Sequence, residues 1–254
     1  MELLYQQWKA LQAAGESITV WQNIFVKFYQ AFIEADRWKQ YLGGVGSTLY
    51  VTAMALVIGV MLGMVAVIRT AHDQQRPGHR NAVLGVVNWV CKLYTTVIRG
   101  TPMMVQLLVM GMVIFSSSRN SAVVGALTLG INSGAYVAEI VRSGLMSVDP
   151  GQMEAGRSLG MSYFDTMRLV VIPQAIKNIL PALGNEFITL LKDTSLISVI
   201  GGKELVYAAQ GIITRTYESM FPLLGCAAIY LALVLIFSWL QGKLERRLRQ
   251  SDRH

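Results

Sequence analysis

Long apolar runs separated by short polar stretches set the pattern of this chain, and the runs have the length that a bilayer demands. A helix needs about 20 apolar residues to cover roughly 30 Å of hydrocarbon. Five segments meet or approach that measure: 45–68, 101–115, 122–141, 172–191 and 221–240. No charge interrupts the first. The second is short and extends backward through Tyr94 to Trp89. The fourth is the most polar, holding Lys177, Asn178, Asn185 and Glu186. Ahead of the first run, Trp21, Ile24, Phe25, Phe28 and Phe32 recur at helical spacing with Gln22, Asn23, Lys27 and Gln30 between them. That is the pattern of an interfacial helix, which either rests on the membrane or offers a contact to an external protein. No internal repeat or low-complexity linker divides the chain. The pattern predicts an all-α membrane protein of about five transmembrane helices, with an interfacial segment over 1–42 and one membrane domain over 43–242.

Composition agrees with a bilayer as solvent. Of 254 residues, 53% are hydrophobic and 15% charged, and the mean hydropathy is +0.44, too apolar for an ordinary soluble domain. The net charge of +7 does not indicate nucleic acid, because the basic residues gather between and after the apolar runs rather than on a face interleaved with aromatics. Their placement sets the orientation, since Lys and Arg accumulate in cytoplasmic loops. The tail over 243–254 carries Lys243, Arg246, Arg247, Arg249 and Arg253 against Glu245 and Asp252. Between the first two runs stand Arg69, Arg76, Arg80, Lys92 and Arg99 against Asp73. Both regions are expected inside, and five spans then place the N-terminus outside. The first 42 residues balance Lys9, Lys27, Arg37 and Lys39 against four acids, and lack the continuous apolar core of a cleavable signal, so the first span is expected to direct export. Cys91 and Cys226 lie in or beside apolar runs without ligand spacing and read as buried thiols.

The polar stretch 147–172, between the third and fourth runs, has the character of a docking loop. Asp149-Pro150 is a helix start, the Asp accepting from free N–H groups and the Pro fitting the first helical position. Met153, Ala155, Gly156, Leu159 and Gly160 make a small, weakly apolar face flanked by Glu154 and Arg157. A helix this short needs a partner groove. A second short helix is expected from Ser162, capped with Asp165 three residues on, through Val170, until Pro173 opens the fourth span. The bland reading of the stretch is a generic cytoplasmic loop.

Three further strings are chemically distinctive. In Arg99-Gly100-Thr101-Pro102, followed by Gln106, Thr101 is expected to cap and Pro102 to start a helix, with Arg99 reaching lipid phosphates. Asn132, Tyr136, Glu139 and Ser143 share a helix face, and polar groups in a bilayer usually face a bundle interior or a water-filled path. Glu139 can serve structure and gating, pairing with Arg142 one turn on, or touch substrate directly. In the fourth span Asn178, Asn185 and Thr189 share a face, and Glu186 sits about 8 Å from the outer end at 1.5 Å per residue. Lys192 and Asp193 follow at the membrane exit.

Glu154, Ala155, Gly156, Gly160, Val170, Ile172 and Pro173 resemble the "EAA" signature of ABC-transporter membrane subunits: Glu-Ala-Ala, three residues, Gly, nine residues, Ile, one residue, Leu-Pro. Gly156 in place of the second Ala is the real departure and is expected to loosen the short helix. Arg-Gly-Thr-Pro with Gln106, the Asn132 to Glu139 string and Lys192-Asp193-Thr-Ser-Leu196 resemble the polar amino acid permeases among ABC type I importers. The resemblance implies a dimer of such subunits, homo- or heterodimeric, in a bacterial plasma membrane. It also implies two cytoplasmic ATPases that bind the ATP and Mg, an external amino-acid-binding protein, and alternating access at the dimer interface. It implies a coupling role for Glu154, Ala155, Gly156, Arg157, Gly160 and Pro173, and a substrate path along Asn132, Tyr136, Glu139, Ser143, Asn185 and Glu186. No cofactor is expected in this chain. The pairs Gly202-Lys203 and Gly242-Lys243 lack the spacing of a phosphate loop, and His72, His79 and His254 lie in polar loop or tail without catalytic partners. The rival is a membrane scaffold that docks a partner without moving solute, for which the same topology would serve.

Overall fold

Helices account for every regular element that the computed structural model describes, which covers residues 1–73 and 82–250. Arg76, His79 and Arg80 of the first loop, and Asp252, Arg253 and His254 of the tail, lie outside the described residues, as do the side chains of His72, Asp73, Arg249 and Gln250. In chain order the helices are α1 (Glu2–Ala13), α2 (Val20–Phe32), α3 (Arg37–Gly63), α4 (Val65–Asp73), α5 (Ala82–Gly100) and α6 (Met103–Leu108). After them come α7 (Ser121–Met146), α8 (Pro150–Ser158), α9 (Tyr163–Thr166), α10 (Ile172–Asp193), α11 (Leu205–Thr216) and α12 (Met220–Gln250). Three segments are long and apolar enough to cross a membrane, Glu34–Ala71, Ser121–Met146 and Met220–Leu248, and two bent pairs raise the number to five.

α7 is the centre. In its most apolar stretch 61% of residues are buried, against 11% in α12, which lies at the periphery. Its most extensive partner is α3, and glycines set the spacing. A Cβ on Gly130 would stand 2.6 Å from that of Ile58, and one on Gly59 would stand 2.8 Å from Ser133 Oγ. Gly63 meets Val137 in the same way. The contacts advance together along both helices, so α3 and α7 run parallel at close approach, the packing that small residues permit where lipid offers no hydrophobic drive. Val51, Ala55, Leu107, Ala126, Leu129, Leu190 and Ile197 fill the core beside this seam.

The first span begins at Arg37, earlier than the apolar run at 45, because its first turns are buried against α11. A Cβ on Gly44 would stand 2.8 Å from Leu205 Cα. The second run is not one straight span. α5 and the helix that follows it cross at 103°. Pro102 lacks an N–H and disfavours helical backbone at Thr101, so the chain turns there. α5 also takes in Lys92 and Arg99, which the charge pattern assigned to a connecting loop.

At one end, α1 and α2 form a hairpin. α2 starts with a reciprocal capping box between Thr19 and Gln22. Phe28 meets Phe221 of α12 at 6.3 Å and Phe32 meets Tyr41 of α3 at 5.5 Å, while Trp21 stays exposed. α1 has no counterpart in the apolar pattern. It is held because Tyr5 stacks on Tyr29 at 4.3 Å and its hydroxyl donates to Glu34 at 2.7 Å. Lys9 and Arg37 complete the cluster on Glu34 at 2.7 and 2.8 Å. The hydrogen bond to Glu34 holds the Lys9 ammonium above its usual range. The chain reverses into α3 through left-handed Ala35 and Asp36.

Gly130→Val is expected to lower the thermal midpoint of the detergent-solubilised protein, as overpacking a tight seam costs about 1–3 kcal/mol. Gly46→Ala, where an added Cβ meets nothing within 4 Å, is expected to leave the midpoint unchanged or raise it. Equal effects of the two would show that the α3–α7 seam does not limit stability.

Candidate functional site

A cavity of about 600 Å³ lies between α7 and α10. Tyr136, Glu139 and Ser143 reach it from successive turns of α7, Asn178 and Glu186 from α10, and Arg99 from the end of α5. Helical periodicity aligns each set on one face. Gly144 allows the approach of the two helices, since a Cβ there would collide with Ile179.

The charges are arranged unevenly. Glu139 accepts from Arg69 of α4 and from Arg142 Nε at 3.1 Å. Arg99 Nη1 stands 3.9 Å from the same carboxylate, its guanidinium 5.3 Å from the Tyr136 ring centre. Three cations thus surround one carboxylate, and Arg99 turns into the cavity rather than toward lipid phosphates as the sequence led us to expect. Glu186 occupies another wall, where its Oε1 accepts from Ser133 Oγ at 2.7 Å. The pairing of Glu139 with Arg142 was legible one helical turn apart. Arg69 was not, because 70 residues separate it from Glu139, and its only signal was its place directly after an apolar run.

Two residues assigned to the path do not line this cavity. Asn132 Nδ2 donates to Gln106 Oε1 at 3.0 Å, and Asn185 Oδ1 accepts from Gln241 Nε2 at 2.9 Å. Both tie helices together. Thr101 does not cap α6. Pro102 takes the cap position without a side-chain bond, while Thr101 Oγ1 donates to the Val97 carbonyl at 3.0 Å and accepts from Gln106 Nε2 at 2.7 Å. Gln106 Nε2 also reaches the Ile98 carbonyl at 2.7 Å, so the Arg-Gly-Thr-Pro turn is braced by a glutamine four residues beyond it.

The loop after α7 folds as two short helices. Asp149 Oδ1 accepts from Gly151 N–H at 2.8 Å and Ser162 Oγ from Asp165 N–H at 3.1 Å. Gly156 does not loosen α8. It is buried, and a Cβ there would stand 2.5 Å from Thr166 Cγ2. The missing side chain is what seats α8 on α9. Gly160 closes α8 at φ +81, a conformation glycine adopts without penalty. Glu154, Ala155 and Arg157 remain exposed, and Glu154 and Arg157 line a groove with Met146, Met153, Tyr163 and Met167. Pro173 stands in the first turn of α10, as the sequence led us to expect. A π-turn over Met167–Val171 joins α9 to α10 without a break and accommodates the proline in the first turn of α10.

Glu139→Gln is expected to destabilise the protein by leaving its arginines uncompensated. Adding Arg69→Gln is expected to restore part of the loss, with a coupling of about 1–3 kcal/mol in a double-mutant cycle of thermal midpoints. Strict additivity would show that the pair does not interact in the folded protein.

Residues 81–250 match the family described as "Binding-protein-dependent transport system inner membrane component". The arginine transport system permease protein ArtQ of Bacillus subtilis (strain 168) is 36% identical over 216 residues, covering 83% of this chain and 93% of that protein. The glutamine transport system permease protein GlnP of Escherichia coli (strain K12) is 35% identical over 211 residues, covering 81% and 91%. A crystal structure of an amino acid ABC transporter with histidines superposes with a TM-score of 0.74 at 43% identity, over 82% of this chain and 94% of that one. An inward-facing methionine ABC transporter, at 19% identity and a TM-score of 0.70, shares the fold. The matched stretch covers well over half of the chain, and this protein belongs to the family of binding-protein-dependent transport system inner membrane components.

Proposed function

We infer that this chain is the permease subunit of an ATP-driven amino acid importer, a multi-pass membrane protein that performs no chemistry and forms the path a separate ATPase opens and closes. The observation that carries the reading is the charged cavity between α7 and α10. Uncompensated charge inside a bilayer is costly and is found where solute or ions pass. The volume of about 600 Å³ lies in the range of small-molecule sites. Arg69 and Arg142 hydrogen-bond Glu139 while Arg99 stands farther off at 3.9 Å, and Glu186 accepts one bond from Ser133, which leaves the remaining donors of Arg99 and the second oxygen of Glu186 to face a solute. A zwitterion fits that polarity, with its carboxylate toward Arg99 and its ammonium toward Glu186, and Tyr136 and Ser143 between. Asn132 and Asn185 hold the surrounding helices. The names of the relatives, which move arginine and glutamine, agree with a polar amino acid as cargo.

In this reading α8 is the coupling helix. Glu154, Ala155 and Arg157 present its outer face to a cytoplasmic ATPase dimer that holds the ATP and Mg. Gly156 and Gly160 set its angle, and the helix through Pro173 carries its movement to the cavity. Residues 1–42 and an extracytoplasmic binding protein lie outside, and the tail over 243–254 lies inside the bacterial plasma membrane, which is an inner membrane where the cell has two. A second permease subunit completes the path. A scaffold that moves no solute would have no use for a charged cavity of this size.

The test is uptake of labelled amino acids by proteoliposomes holding the chain with its ATPase and binding protein. ATP-dependent accumulation of one class is expected, and a stable complex that accumulates none would overturn the reading. Glu154→Lys and Gly160→Leu are expected to lower uptake by at least an order of magnitude in protein that inserts normally, and unimpaired uptake would remove α8 from the coupling role. Glu186→Gln is expected to raise KM for the transported amino acid, whereas an unchanged KM would take Glu186 out of the site.

A further inference from the structure

A second cavity, sharing no residue with the first, opens between α11 and the start of α3 and encloses about 700 Å³. Its place follows from a stripe on α3. Gln40, Gly44, Ser47, Val51, Ala55 and Ile58 recur at intervals of three or four residues and share one face of the helix. Toward the middle of α3 that face packs on α7, where Val51 and Ala55 share a core with Ala126, and Ile58 stands against Gly130. Nearer the α1–α2 hairpin the same face, at Gln40, Gly44 and Ser47, lines the cavity instead. The change comes where α7 begins. Carried back along both helices, the pairing of Gly130 with Ile58 brings Ser121, the first residue of α7, level with Leu49.

Contacts along α12 show how deep that level lies. At one end of its apolar run over 221–240, Phe221 meets Phe28 of α2, and just past the other end Gln241 donates to Asn185 at 2.9 Å. Tyr230, midway along the run, donates to Glu204 Oε2 at 2.8 Å. Glu204 closes the break before α11, and at the start of that break a Cβ on Gly201 would stand 3.8 Å from Ser121 Oγ. The turn that leads into α7 is therefore near the middle of the bilayer. The arm before it agrees. α6 and the π-helix over Val109–Ile114 are six residues each and rise about 18 Å at 1.5 Å per residue, well short of roughly 30 Å of hydrocarbon. α7 is long enough to cross, but it is displaced toward the loop over 147–172, and the turn between α6 and α7 is re-entrant.

Water has to reach this turn. Residues 115–120 are not helical, and Ser116, Ser117, Ser118, Arg119 and Asn120 are exposed. Non-helical backbone at that depth is tolerated only inside protein or beside water. Lys203, two residues past Gly201, lines the cavity and is exposed as well. Neither Arg119 nor Lys203 has an ion-pair partner among the described residues, and a bare charge at this depth is costly against lipid. From Lys203 toward the hairpin, α11 supplies a polar wall. Tyr207, Gln210 and Thr214 line the cavity while Leu205, Ala209 and Ile212 are buried on the opposite face. The 12 residues of α11 extend about 18 Å. Just beyond them Glu218 is bridged by Lys27 of α2 at 2.8 Å, so the wall runs from mid-depth to the end of the molecule that holds the hairpin.

We propose that this cavity is the water-filled outer mouth of the solute path, open on the side opposite the ATPase and floored at mid-depth by the re-entrant turn over 115–120. Bulk water and solute then reach the middle of the bilayer unaided, and only the stretch from that turn to the cavity between α7 and α10 has to be opened by the transport cycle. The proposal rests on the importer reading above and adds to it where the outer half of the path runs.

The experiment places single cysteines in the complete assembly, held in right-side-out membrane vesicles, and measures their rates of reaction with a charged, membrane-impermeant methanethiosulfonate. Cys91 and Cys226 are buried and set the background. Thr214→Cys near the rim, Ser47→Cys on the deep wall and Ser117→Cys on the turn are compared with Leu231→Cys, which is exposed on α12 beside Tyr230 and so lies at the same depth against lipid. A thiol in apolar surroundings stays protonated and inert, so Ser47→Cys and Ser117→Cys are expected to react roughly tenfold or more faster than Leu231→Cys. Modification of Ser47→Cys is expected to remove most of the ATP-dependent uptake that the unmodified variant supports. Co-purification with the ATPase checks assembly, and should Ser47→Cys fail to assemble, Ser117→Cys carries both measurements. Ser47→Cys and Ser117→Cys as inert as Leu231→Cys would overturn the water-filled mouth, as they would be if a second permease subunit filled the space. Full modification with uptake intact would take the cavity out of the solute path while leaving the importer reading in place. Wild-type vesicles that accumulate nothing, with the labelling pattern as expected, would overturn the importer reading and leave the water-filled cavity standing.

Discussion

The close parallel contact of α3 with α7 is the constraint on which the other features depend. Lipid tails are as apolar as leucine, so helices inside a bilayer gain little by hiding side chains from it, and they associate where their backbones can approach. Gly59, Gly63 and Gly130 permit that approach. The seam fixes where α3 ends, and α4 continues from it, so that Arg69 arrives beside Glu139. The same seam presents Ser133 to Glu186 across α7 and α10. The polar groups find partners because the helices are already near enough for short side chains to reach.

Polar satisfaction then sorts the side chains by role. Gln106, Asn132, Asn185 and Gln241 are occupied with one another or with carbonyls, which suits braces between helices. Arg99 and Glu186 keep part of their capacity for a visitor. Glu139 balances the guanidinium groups near it and sets the electrostatic tone of the cavity without being free itself. Three guanidinium groups around one carboxylate leave that wall positive, and Glu186 stands on another wall.

Continuity of backbone connects the loop to the cavity. From Tyr163 the chain stays helical through a π-turn and α10 to Asp193, and Pro173 interrupts neither. α8 sits on the start of this helix through Gly156 and Thr166. Asn178 and Glu186 belong to this same helix, on either side of Pro181. Gly156, which by local propensity should weaken the short helix, is better understood as the small residue that the contact requires.

The sequence by itself determined that this is a helical membrane protein, where its main apolar segments lie, and which polar strings carry its family resemblance. Those properties follow from local periodicity, from the cost of burying charge in lipid, and from capping residues such as Asp149 and Ser162 that act within a few positions of themselves. Helix α1, the 103° turn at Pro102, the inward course of Arg99 and the separation of Asn132 and Asn185 from the cavity were decided only in three dimensions. So were the pairing of Arg69 with Glu139 and of Ser133 with Glu186. Each depends on partners far along the chain, and no local pattern records which face of one helix will meet which face of another.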